Sequence, residues 1–167
     1  MLSKLLEEAL NKQVSNEAAS AHTYLAMASW ADIQPGLEGV ADFFYKQSEE
    51  ERLHMLKLIK YINERGGFAI IPALQQPETK FKSLKQIFEL FFESEKSVSE
   101  SINELVELAL KDKDYATHNF LQWYVAEQIE EESLARKLNE KLELIGSDKS
   151  GLYLFDRDIM SYRPKGE

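Results

Sequence analysis

The chain has 167 residues, 44% of them hydrophobic, which is enough for one sizeable core and too few for two ordinary domains. Its 29 acidic against 20 basic residues give a net charge of −9, which argues against nucleic acid as a partner and favours cations. The absence of cysteine excludes disulfide frameworks, thiolate zinc sites, iron–sulfur clusters and cysteine nucleophiles, so any bound metal must be held by oxygen and imidazole.

The chain opens on Met1-Leu2-Ser3-Lys4-Leu5 and passes directly into an amphipathic pattern, without the basic stretch, apolar run and small-residue cleavage site of a secretion signal. No apolar run approaches the roughly 20 residues of a membrane span. A cytoplasmic protein with no membrane partner is expected.

Glycines and prolines fall mostly in clusters that divide the chain into long uninterrupted segments. The first helix is expected over about 4–33, with Ser3 as its N-cap, ending at Gln34-Pro35-Gly36. The second, about 38–65, stops at Gly66-Gly67, where glycine supplies the left-handed conformation helix ends commonly need. The third, about 84–111, and the fourth, about 115–145, follow the N-cap candidates Ser83 and Asp114. Gly146 to Gly151 reads as a polar turn leading to a short fifth helix, about 152–160.

Connection lengths carry topology. Links one and three are short and force antiparallel neighbours. The second, Gly67 to about Lys82, contains Pro72 and Pro77 and the apolar group Phe68-Ala69-Ile70-Ile71, so it can run extended along the bundle surface. The expected fold is all-α and a single domain over 1–167: a four-helix bundle of two antiparallel hairpins joined by one long crossover, plus the fifth helix.

Each long segment carries an apolar stripe at three- and four-residue spacing, interrupted by polar residues at one height. Helix one reads Leu6, Leu10, Gln13, Glu17, Ala21, Tyr24, Ala28, Ala31. Helix two reads Phe44, Ser48, Glu51, His54 or Met55, Leu58, Ile62, with a Glu-x-x-His pair one turn apart. Helix three reads Leu84, Phe88, Phe91, Glu95, Val98, Ile102, Leu105. Helix four reads Phe120, Tyr124, Glu127 or Gln128, Glu131, Leu134, Leu138, Leu142. Runs such as Glu49-Glu50-Glu51 and Glu130-Glu131-Glu132 are, taken singly, ordinary solvated helix surface. Phase with the stripe is what separates Glu51 and Glu131 from their neighbours.

A lone buried glutamate costs several kcal/mol, and inward carboxylates from all four helices would repel one another unless cations sat between them. Two metal ions answer that requirement. Oxygen-rich ligands with one histidine suit iron or manganese; zinc would bind without redox chemistry. Two-metal bundles commonly present a Glu from each of two helices and Glu-x-x-His from each of the other two. The first three helices fit, whereas on the fourth Glu127 is followed at i+3 by Glu130. Tyr24, seven residues after Glu17, has two readings, core packing or a hydrogen bond to a ligating carboxylate. His22 and His118 lie off the stripes, and Trp123 reads as packing.

With these residues in view the chain resembles bacterial non-haem ferritin over essentially its whole length. The clearest matches are Glu50-Glu51-Arg52-Leu53-His54 and Asn119-Phe120-Leu121-Gln122-Trp123-Tyr124-Val125-Ala126-Glu127-Gln128-Ile129-Glu130-Glu131. The resemblance implies one iron held by Glu17, Glu51 and His54, with Glu51 bridging to a second iron held by Glu95 and Glu131 and lined by Gln128. It implies a third iron position at Glu50, Glu127 and Glu130, and a site tyrosine at Tyr24. Bacterioferritin-like chains carry a second Glu-x-x-His on helix four and a haem-ligating methionine on helix two, where Glu130 and Arg52 stand here, so no haem is expected.

The implied function is iron storage and detoxification. The resemblance implies that Fe(II) is oxidised to Fe(III) by O2 or H2O2 at a di-iron centre and that ferric mineral is deposited inside a hollow homo-oligomeric cage of twenty-four subunits. The apolar tail helix from Leu152 is consistent with burial between subunits, or with packing on its own bundle. Two rivals stand beside this reading. A di-metal oxidase, hydroxylase or manganese catalase would need a substrate cavity, where the seams show bulky Phe88, Phe91 and Tyr124; a metal-free scaffold would leave the seam carboxylates unexplained.

Overall fold

A computed structural model describes residues 1–163 of the chain. Four long helices, α1 (Lys4–Asp32), α2 (Glu38–Glu64), α3 (Leu84–Lys111) and α4 (Tyr115–Ile145), form the bundle. A short α5 (Lys149–Asp158) continues into a 3₁₀ turn (Ile159–Tyr162). The three expected N-caps do their work: Ser3 accepts from the Leu6 amide, Ser83 from Gln86 and Asp114 from Thr117. The fifth helix begins three residues earlier than expected. Gly151 lies within its first turn, where its amide bonds the Asp148 carboxylate and an added Cβ would stand 2.8 Å from Ile145. The expected polar turn is therefore shorter than the sequence suggested.

The hairpins are α1 with α2 and α3 with α4, and α1 also lies against α3. Ser3 at the start of α1 bonds Asp112 at the end of α3, and Arg65 at the end of α2 pairs with Asp114 at the start of α4 at 2.9 Å. Every one of these neighbours is thus antiparallel, as two hairpins joined by a crossover require. The crossover runs extended. It leaves α2 held by Glu7, Asn11 and Asn63, which bond the backbone of Phe68, Ala69 and Ile70. It ends with Phe81 edge-on to Trp30 at 6.1 Å, near the opposite end of α1.

The start of α2 has no capping side chain of its own. Its free N–H groups at Gly39 and Val40 are bonded by the carboxylate of Asp156 from α5, at 3.1 and 2.8 Å. Gly39 makes this approach possible, since a Cβ there would lie 2.0 Å from the Asp156 carbonyl oxygen. Phe155 packs edge-on to Phe88 at 5.5 Å, and both Phe155 and Ile159 are buried. The inward face of the tail helix is therefore covered by its own bundle, while Tyr153 and Leu154 remain exposed.

The core consists of two apolar clusters. One gathers Tyr24, Phe43, Phe44, Phe88, Phe91 and Leu138 with the tail residues, and the other gathers Leu10, Val14, Leu58, Ile102, Leu105 and Tyr124. Between them lies a layer of buried polar side chains from all four helices. The stripes hold with small corrections of phase: Gln47 is buried where Ser48 was expected, Ser20 rather than Ala21, and Leu121 rather than Phe120. His54 and Gln128 are the buried members of their alternatives. No helix among the described residues is long and apolar enough to cross a membrane.

Candidate metal centre

The polar layer contains Gln13 and Glu17 from α1, Gln47, Glu51 and His54 from α2, Glu95 from α3, and Gln128 and Glu131 from α4, all buried. Glu17 and Glu95 are 0% exposed, which is incompatible with ordinary solvated surface. Each reaches this height by the three- and four-residue spacing that also aims its apolar neighbours inward.

Ligand atoms of Glu17, Glu51 and His54 all lie within 4.8 Å of one another. His54 Nδ1 stands 3.6 Å from Glu51 Oε2 and 3.9 Å from Glu17 Oε2, too far for hydrogen bonds. Ligand atoms about 2.1 Å from a shared ion lie roughly 3–4 Å from each other, which is the spacing seen here. Among the described residues, the buried side-chain oxygens without any hydrogen-bond partner are Glu17 Oε2 and Glu51 Oε2. Orphaned buried acceptors are costly, and a cation between them removes the cost. The other oxygen of Glu17 accepts from Gln13 Nε2 at 2.8 Å, so one is oriented and the other left free.

The second group lies across the bundle. Tyr24 donates its hydroxyl to Glu95 Oε1 at 2.5 Å, and Gln128 Nε2 donates to Glu95 Oε2 at 3.1 Å. Gln47 Nε2 donates to Glu131 Oε2 at 2.9 Å. Tyr24 packs its ring edge-on to Phe91 at 5.2 Å while its hydroxyl holds the Glu95 carboxylate.

Burial raises the pKa of every carboxyl in the layer. Glu17 and Glu51 lie well above the usual carboxylate range, burial being the largest cause for both, with the charge of Glu51 adding for Glu17 and the charges of Glu95 and Glu131 adding for Glu51. Glu95 is raised to about 7, burial outweighing the Tyr24 and Gln128 hydrogen bonds, and Glu131 to about 8 through burial and the charge of Glu95. Glu51 lies 3.6 Å from His54 Nδ1 and also feels the charges of Glu95 and Glu131, within electrostatic reach of both groups. Without cations, burial thus favours the protonated form of these carboxyls; a divalent ion would displace those protons.

Glu50, Glu127 and Glu130 do not converge to ligand distance, nor do Glu51, Glu95 and Glu131; among the described residues the group that does is Glu17, Glu51 and His54. Glu130 is exposed and Glu127 half-buried, with its pKa raised by burial. Glu50 forms an ion pair with Arg163, whose guanidinium also donates to Gln47. Arg163 and Gln47 were not singled out in the sequence. A signal existed for Gln47, which precedes Glu51 by four residues as Gln13 precedes Glu17. Arg163 lies beyond the last helix, where no periodicity points inward. Trp123 sits edge-on to His54 at 5.3 Å beneath the Lys57 ammonium, a packing role that also fixes the imidazole. Tyr124 donates to the His54 carbonyl at 2.7 Å, and His22 and Ile129 are exposed, away from the layer.

The ferritin-like domain family matches residues 7–145. A probable bacterial non-heme ferritin-like protein of Haemophilus influenzae is 45% identical over 159 residues, covering 95% of this chain and 96% of that protein. The bacterial non-heme ferritin of Campylobacter jejuni is also 45% identical, with 95% of each covered. Among solved structures, an open pore ferritin from the hyperthermophilic archaeon Archaeoglobus fulgidus superposes with a TM-score of 0.92 at 43% identity, over 95% of this chain and 98% of that one. Chlorobium tepidum ferritin superposes at 0.86 and 43% identity, over 99% and 100%. With its bundle, its crossover and its buried layer of carboxylates, the chain belongs to the ferritin family.

Proposed function

We propose that this protein stores iron: it takes up Fe(II) at paired positions in the bundle, oxidises it there with O2 or H2O2, and holds the ferric product inside a hollow oligomer of twenty-four chains. The observation that carries this reading is the pair of partnerless buried oxygens, Glu17 Oε2 and Glu51 Oε2, facing His54 Nδ1 in a chain of this family. The first Fe(II) takes Glu17, Glu51 and His54. The second takes Glu95 and Glu131 with Glu51 between the two, and Gln128 lines its position.

Iron is the substrate here, and each Fe(II) gives up one electron. A pair supplies the two electrons that reduce O2 to H2O2, or H2O2 to water. The protein's own part is to hold two cations side by side in a water-poor layer, to release the carboxyl protons as they bind, and to fix the ligands through Gln13, Tyr24, Gln47 and Gln128. The net charge of −9 favours the approach of cations. The relatives named as non-heme ferritins, and Arg52 on α2, support a haem-free protein.

The double variant Glu17→Ala/His54→Ala tests the assignment. Rapid Fe(II) oxidation is lost while the bundle stays folded, because removing buried ionisable groups relieves their burial cost in the cation-free protein. Unchanged oxidation in a folded double variant would overturn it.

A further inference from the structure

Just beyond the 3₁₀ turn, the side chain of Arg163 reaches back to the bundle as a fork. The Arg163 side chain is about nine-tenths buried, its guanidinium lying 5.4 Å from the centre of the Phe43 ring. One arm, Nη2, pairs with Glu50 on α2, and the other, Nη1, donates to Gln47 Oε1 one turn earlier on the same helix. Gln47 is fully buried, and its remaining polar atom, Nε2, donates to Glu131 Oε2.

A glutamine amide is nearly symmetric in shape and opposite in polarity at its two ends. Which end faces Glu131 is set by what the other end meets. A guanidinium accepts nothing, so it admits only the oxygen of Gln47 and leaves the NH2 group turned to the carboxylate. With the fork removed, the amide is free to turn its oxygen toward Glu131, where two acceptors would face each other once a cation has displaced the carboxyl proton. The ion pair with Glu50 and the Phe43 ring hold the fork in place.

We propose that Arg163 is a positioning residue for the second cation position, acting through Gln47 on Glu131. This rests on the paired-metal reading above. It gives the carboxy-terminal turn a share in a site that otherwise draws only on the four long helices. Partners that orient a ligand typically change metal affinity by about 10–100-fold when removed.

The test is anaerobic titration of the assembled, metal-free protein with Co(II), following heat and the visible spectrum, so that no oxidation is involved. The unsubstituted protein binds two ions per chain in two phases. Arg163→Ala weakens the second phase by about tenfold or more and leaves the first unchanged. In a Gln47→Ala background the same substitution has no further effect, because the relay is already cut. Arg163→Lys, which keeps the charge but cannot fork, weakens the second phase to a lesser degree. Equal weakening of both phases, no weakening in Arg163→Ala, or losses that add in the double variant would each overturn the proposal. Failure of the unsubstituted protein to bind Co(II) at all would instead sink the paired-metal reading itself.

Discussion

The hydroxyl of Tyr24 on α1 donates to Oε1 of Glu95 on α3 across 2.5 Å, at the boundary between an aromatic cluster and the carboxylate layer. The ring belongs to the packing and the oxygen to the site. Replacing Tyr24 by Phe therefore separates the two roles. The fold survives with a change of about 1 kcal/mol in stability, while Glu95 loses one of its two side-chain donors and swings more freely. Binding of the second cation is expected to weaken by about tenfold, with the first position little changed. Calorimetric titration of Tyr24→Phe with a redox-inert divalent ion checks this; equal loss at both positions would contradict it.

The stability of the cation-free protein depends on pH through the same carboxyls. Their pKa values are raised in the folded state above the ordinary value of 4.5, to about 7 for Glu95 and about 8 for Glu131. Between these limits the folded chain binds more protons than the unfolded one, so stability falls as pH rises. The contribution of Glu95 and Glu131 is fully present below about pH 4.5 and is lost as pH rises through about 7 for Glu95 and about 8 for Glu131. Divalent cations replace the protons, so added cation raises the melting temperature more at pH 8 than at pH 5, and binding releases protons. Melting curves with and without cation across that range test the sign. A cation-free protein that becomes steadily more stable from pH 5 to pH 8 would contradict it.

Asp156 caps α2 from a distance of more than a hundred residues in sequence, bonding the amides of Gly39 and Val40. Asp156→Ala leaves two helix-end donors without that acceptor and is expected to cost about 0.5–2 kcal/mol, the usual range for a lost N-cap. Gly39→Ala is expected to cost more, because the added methyl meets the Asp156 carbonyl and must push α5 away. Thermal melting ranks the two. Cation binding at Glu17 and His54 should persist in Asp156→Ala, since that cap lies at the far end of α2.

Much of this was legible in the sequence because a helical stripe has a phase, and Glu17, Glu51, His54, Glu95 and Glu131 all keep it. The caps at Ser3, Ser83 and Asp114 were legible for the same local reason. What failed were positions where one residue's shift in phase changes the face, as with Gln47 against Ser48, and the start of α5, where Gly151 reads as a turn but serves as a close-packed helical residue. Glu50 has the sequence of a ligand, yet its partner is Arg163, and nothing local to either residue announces a contact across 113 positions. Long-range polar pairing of this kind has no periodic signature.

The measurement that tests the central claim most directly is anaerobic titration of the metal-free protein with Fe(II), followed by exposure to air, with absorbance and particle size followed together. Rapid oxidation of about two irons per chain is expected in the first phase, on a large hollow particle that then takes up far more iron. Two irons bound on a small oligomer that loads no further would contradict storage, and failure to bind iron in the layer at all would contradict the site.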